Sequence, residues 1–207
     1  MSTKSRTRRE RRPQAPLPVL LNCVQVVADH FGTEPRCHEA AVILQSVGKL
    51  LGYDLLPRAV ALFANDTQAG RFVTFGTIAR DRMPRDWAIV DRSPDPTART
   101  GHVVLVCAAP MLLIDATLRQ LANSGIAAQP LVKRINSLAP ESGVWAAKLP
   151  DGLDVVYMPD PVDTASLIEA WRVPQPLSIF ARDVVRLVRG GLTGDDIRAR
   201  FVVQDVA

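Results

Sequence analysis

Cysteine and histidine are scarce in this chain, with three of each among 207 residues. Cys23, Cys37 and Cys107 form an odd count with no close pair, which excludes a disulfide framework and a Cys-x-x-Cys metal knuckle. Reduced thiols in a reducing compartment are expected. No apolar run approaches the roughly 20 residues that span a bilayer. The apolar stretch 17–27 contains Asn22 and Gln25 and is followed by Asp29, as in an amphipathic helix. No small-residue cleavage pattern follows it, so a secretory signal is not expected and the cytoplasm is the default compartment.

The basic character is confined to one end. Residues 1–12 carry Lys4, Arg6, Arg8, Arg9, Arg11 and Arg12 against Glu10, a net of +5, whereas the whole chain is +4. The body is therefore close to neutral. A basic tail without aromatics could touch phosphates or an acidic protein weakly, but it lacks the stacking side chains of a nucleic-acid platform.

Residues 1–16 are expected to form a disordered basic tail. Two helices follow, over 17–31 with a stop at Gly32 and over 37–51 with a stop at Gly52. Strand patterns cover 59–63, 71–78 and 87–90, and a Pro-rich loop covers 93–99. Two apolar runs, 102–107 and 111–114, flank Ala108-Ala109-Pro110, and 118–122 reads as a short helix. Residues 144–148 and 154–157 flank the turn signal Asp151-Gly152. The last third is helical, over 164–171, 179–188 and 195–201. Helices, then strands, then helices predict an α+β fold with no βαβ alternation. The division expected is a tail (1–16), a core (17–160) and a helical C-terminal extension (161–207).

The candidate chemistry starts from His102 and Asp115. A hairpin centred on Ala108-Ala109 would oppose them directly on neighbouring strands, with Cβ atoms about 5 Å apart on one face. A carboxylate at that distance fixes an imidazole tautomer. Cys37 is the natural third member, because at a helix start the dipole and the exposed backbone N–H groups favour a thiolate and could hold an oxyanion. The order Cys37, His102, Asp115 is that of a cysteine nucleophile, its base and the orienting acid. Cys23 and Cys107 read as packing residues. Glu39 reads as a partner of Arg36 or Arg58, or as solvated. Asn65, Arg71 and Trp87 are further candidates for a cleft wall. Arg182, Arg186 and Arg189 read as the solvated face of a helix. His38-Glu39 lacks the second histidine of a zinc peptidase helix, Val42 standing there, and no metal or cofactor is expected.

Arg36-Cys37-His38-Glu39-Ala40-Ala41, running into Leu50-Leu51-Gly52-Tyr53, resembles the nucleophile helix of the transglutaminase-like superfamily. Gly101-His102-Val103-Val104-Leu105-Val106 and Leu113-Ile114-Asp115-Ala116-Thr117 resemble its histidine and aspartate motifs. Arg36-Cys37-His38-Glu39 is more weakly similar to arylamine N-acetyltransferases, with Glu34 and Pro35 in place of the glycines there. Val103 stands where an aromatic residue commonly follows the histidine.

The resemblance, over roughly residues 20–120, implies a papain-like core: a nucleophile helix packed on an antiparallel sheet, bearing a Cys37–His102–Asp115 triad. It implies an amide hydrolase or acyltransferase working through a thioester on a peptide or small acyl or amide substrate. The other class of function expected is a non-catalytic binding or assembly protein that keeps this fold.

Overall fold

The computed structural model of the chain describes residues 13–76, 101–138 and 143–191. The expected strand at 87–90, the loop at 93–99, the helix at 195–201, the cationic residues of the tail and Trp87 lie outside the described residues. No helix among the described residues is long and apolar enough to cross a membrane.

Two helices open the fold, α1 (Leu17–Phe31) and α2 (Cys37–Leu51). In α2 the apolar positions Ala40, Ile43, Leu44, Val47 and Leu51 recur every three or four residues and are buried. Each of its large aliphatic side chains contributes about 1.5–3 kcal/mol by leaving water. Gly52 ends the helix in the left-handed region at φ 82° and returns its N–H to Gly48. Gly48 itself lets the helix approach the sheet, because a Cβ there would lie 2.7 Å from Leu55 Cγ.

Among the described residues seven strands follow, all antiparallel: β1 (Leu55–Asp66), β2 (Arg71–Phe75), β3 (His102–Ala108), β4 (Met111–Asp115), β5 (Leu131–Arg134), β6 (Trp145–Lys148) and β7 (Leu153–Pro159). Their order is β5-β4-β3-β1-β7-β6. On one side of the long strand β1, β3 takes the first half and β2 the second. The sheet curls until its edge strands face each other. Lys133 Nζ of β5 donates to the Ala146 carbonyl of β6, and Trp145 Nε1 donates to the Ser137 carbonyl at 2.9 Å. The result is a nearly closed barrel within an α+β fold, crossed at one end by a 3₁₀ helix (Leu118–Ser124).

Strand alternation divides the side chains between two cores. Leu105, Cys107, Leu112 and Ile114 face α1, α2 and the C-terminal helix α4 (Gln175–Arg189). Val104, Val106, Leu113 and Tyr157 face the barrel interior. His102 has the parity of Val104, and Asp115 that of Leu113, so both belong to the inner wall. Helix α3 (Pro161–Ala170) lies across β1, where Thr164 Oγ1 accepts from the Ala59 N–H at 3.0 Å. It begins three residues earlier than expected, because Asp160 caps it by accepting from the Asp163 N–H at 2.9 Å, with Pro161 behind it. In α4, Arg182, Arg186 and Arg189 are exposed as expected.

The β3–β4 hairpin corrects one expectation. Leu105 pairs with Ile114 and Ala108 with Met111, so the turn is centred on Ala109-Pro110 and not on Ala108-Ala109. Proline has no amide hydrogen to give to a ladder, which places Pro110 in the turn. The register is displaced by two residues. Because side chains alternate with period two, His102 and Asp115 keep a common face and become diagonal neighbours.

Candidate active site

Asp115 is the best-satisfied polar group of the site. Its Oδ2 lies 2.8 Å from His102 Nε2 and accepts from the Tyr157 hydroxyl at 3.0 Å. Its Oδ1 accepts from the Thr117 N–H at 3.0 Å and from Thr117 Oγ1 at 3.4 Å. Asp115 and His102 are each 1% exposed, so this carboxylate has exchanged water for four fixed donors. A carboxylate only accepts, which puts the Nε2 proton on His102. Burial and the neighbouring Asp115 raise the Tyr157 hydroxyl well above its ordinary range, and it stays a donor.

Cys37 begins α2 and is half-buried, whereas Cys23 and Cys107 are fully buried. Arg36, the residue before it, offers no side-chain cap to the first turn, so the positive end of the helix is directed at the sulfur's surroundings. Cys37, His102 and Val103 line the same cleft. Burial raises the thiol, but hydrogen bonding to His102, the charge of that ring and the Val103 N–H outweigh it and lower Cys37 below its ordinary value. The converse holds for His102. Burial lowers the ring, while the charge and hydrogen bond of Asp115, joined by Cys37, carry it above its ordinary value. The two directions are those of a thiolate–imidazolium pair. Burial pushes Cys23 up to about 12, and it raises Cys107 also.

These residues open onto a cleft of about 490 Å³ between α2, α3 and the sheet. Cys37, His38 and Glu39 form one wall, Phe75 and Gln120 border the imidazole, and Asp163 and Leu167 of α3 form another. Phe75 stacks on His102 with ring centroids 6.2 Å apart. Gly101 permits the approach of β3 to β1 beside the histidine, since a Cβ there would lie 3.0 Å from the Val60 carbonyl oxygen.

The structure thus brings Cys37, His102 and Asp115 together. Glu39 borders the cleft and pairs with Arg36 at 2.9 Å. Burial raises its carboxyl, but the hydrogen bond and charge of Arg36, a backbone hydrogen bond and the charge of His38 together outweigh this and lower it. Arg71 turns away to the Gly125 carbonyl, and Asn65 lies in the β1–β2 ladder. His38 packs on Trp171, and His30 on Phe180. Among the described residues no group of three metal-ligating side chains is assembled.

Three contributors escaped the sequence. Thr117 had a local signal, since an Asp that accepts from the N–H two residues on is a common turn. Tyr157 arrives through β7, more than 40 residues downstream, with no local sign. Gln120 lies on the 3₁₀ helix with Nε2 2.9 Å from His102 Nδ1. Its one-residue offset from the apolar pair Leu118 and Leu121 gives no hint of that role.

Comparisons with protein-family models, with curated proteins and with solved structures found no match.

Proposed function

We propose that the chain is a cysteine-dependent amide hydrolase or acyltransferase with a papain-like core of the transglutaminase-like kind. The observation that carries the reading is a half-buried helix-start thiol sharing one cleft with an imidazole whose far nitrogen is held by a buried, fully satisfied carboxylate. In this reading the Cys37 proton passes to His102 Nδ1, and the thiolate attacks the acyl carbon of an amide. The Sγ–C bond forms, the C–N bond breaks, and His102 gives its proton to the leaving amine. Water or a second amine then attacks the thioester, with His102 as base, and the thiol is regenerated. Asp115 orients the ring and stabilises its charge throughout. The substrate is a peptide or a small acyl or amide compound, and three unpaired thiols suit a reducing cytoplasm.

The test is alkylation of the native protein by iodoacetamide across pH, read by peptide mass spectrometry. Cys37 is expected to react ahead of Cys23 and Cys107, with an apparent pKa below the usual thiol value of about 8.5, and His102→Ala abolishes this advantage. Equal inertness of all three thiols until unfolding overturns the reading. A second reading, a non-catalytic binding or assembly protein, is favoured by α3 and its flank, where Val162 is 75% and Ile168 51% exposed. It requires Val162→Asp and Ile168→Asp to abolish recovery of a partner while Cys37→Ala leaves recovery intact.

A further inference from the structure

The second nitrogen of His102 has two claimants. Asp115 takes Nε2, so the proton of Cys37 has only Nδ1 to reach. Nδ1 also has the Gln120 amide nitrogen at 2.9 Å. An amide nitrogen donates and does not accept, so this contact requires an Nδ1 that carries a lone pair and no proton. Gln120 is 6% exposed and firmly placed. Leu118 and Leu121 on either side of it are fully buried, and its backbone N–H donates to the Thr117 carbonyl at 3.0 Å. The adjacent Arg119 is fastened to Asp29 and Gln129.

We infer that Gln120 is a positioning residue that disfavours protonation of His102, its amide N–H occupying the lone pair that must receive the Cys37 proton. The thiolate–imidazolium pair then forms only as that hydrogen bond is surrendered, either by turning the amide so that Oε1 accepts from Nδ1–H or by displacing it. Gln120 opposes the other groups that face the ring. Asp115 from β4 favours its charge, as does an ionised Cys37 from α2, while Tyr157 from β7 acts through the Asp115 carboxylate. Around the cleft stand His38 and Glu39 of α2, the latter paired with Arg36, and Asp163 of α3. A bond donated to the neutral form of a base disfavours its protonation. Gln120 therefore tempers the thiolate in the empty cleft. That the ring serves the thiol rests on the function proposed above; the hydrogen bond does not.

The experiment uses the full chain, labelled with nitrogen-15. A scalar coupling between Gln120 Nε2 and His102 Nδ1 is expected, and it arises only when the amide N–H donates to a bare ring nitrogen. His102 is then titrated through its ring nitrogen shifts in Cys37→Ala, alone and combined with Gln120→Ala or the shorter Gln120→Asn. Both double variants are expected to raise the ring's pKa by about half to one unit, or roughly three- to tenfold in proton affinity. A merely structural glutamine would leave this titration unmoved. An unchanged or lowered pKa overturns the inference. So does a missing coupling at a pH where the ring is neutral, and that measurement needs no variant to fold. A coupling that is present while Cys37 stays unreactive to iodoacetamide overturns the proposed function and leaves the assignment of Gln120 standing.

Discussion

Tyr157→Phe removes one oxygen from the centre of the buried cluster and nothing else of consequence. The hydroxyl donates at 3.0 Å to Asp115 Oδ2, the same oxygen that lies 2.8 Å from His102. Tyr157 is fully buried, so no solvent stands ready to replace the lost donor. A hydrogen bond to a charged group is worth about 1.5–3 kcal/mol, against about 0.5–1.5 between neutral groups. Tyr157→Phe should therefore cost about 2 kcal/mol. With a urea dependence near 2 kcal/mol per molar, the unfolding midpoint moves down by about 1 M. The charge on Asp115 can be isolated by repeating the substitution in an Asp115→Asn background, where the cost should fall to the neutral range of about 1 kcal/mol. The loss also leaves the carboxylate less satisfied, so it holds the proton of His102 Nε2 more tightly and the ring titrates higher. An equal cost in both backgrounds, or a cost under about 0.5 kcal/mol, would refute the account of Asp115 as a buried anion stabilised by its donors.

Three further outcomes follow from the same geometry. His102 is raised in the fold from 6.5 towards about 10, so its contribution to stability is complete below about 6.5 and is lost as pH rises through the folded value. Urea titrations of Cys37→Ala, in which Asp115 still raises the ring, should lose stability as pH climbs above about 6.5 relative to Cys37→Ala/His102→Gln; a constant difference contradicts this. Gly48→Val sets a small gain in helix propensity against a Cβ placed 2.7 Å from Leu55 Cγ and 3.1 Å from the Tyr53 carbonyl oxygen. Overpacking should dominate, at about 1–3 kcal/mol, and a thermal melt at or above the wild-type Tm would show that the helix–sheet contact is loose. Asp160→Ala removes the cap of α3 and should cost about 1 kcal/mol, read as faster amide exchange at Asp163 in the first turn of that helix; unchanged exchange there counts against the cap.

The helices were legible because local chemistry decides them. Gly32 and Gly52 stop α1 and α2 where the apolar spacing ends, and the structure places both helices at the expected bounds. The common face of His102 and Asp115 was legible for a different reason: a displacement of two residues leaves strand parity intact, so an imperfect register still gave the right neighbours. The four-residue strand β5 was not foreseen, as Leu131-Val132-Lys133-Arg134 neither alternates nor runs apolar for long. Tyr157 could not be placed because its position depends on β7 pairing with β1 across some 90 residues of chain. Gln120 was hidden because a buried amide has no motif of its own. Its role exists only once the 3₁₀ helix is seated beside β3.

The curl of the sheet has a bearing on how another polypeptide could approach. An open sheet offers the unpaired amides and carbonyls of its outermost strands to any extended chain, which is the usual route to strand addition and to aggregation. Here the two outermost strands, β5 and β6, are turned towards each other, and the side chain of Lys133 takes up a carbonyl that a visiting strand would need. The rim is closed on that side only: among the described residues β2 pairs with β1 alone.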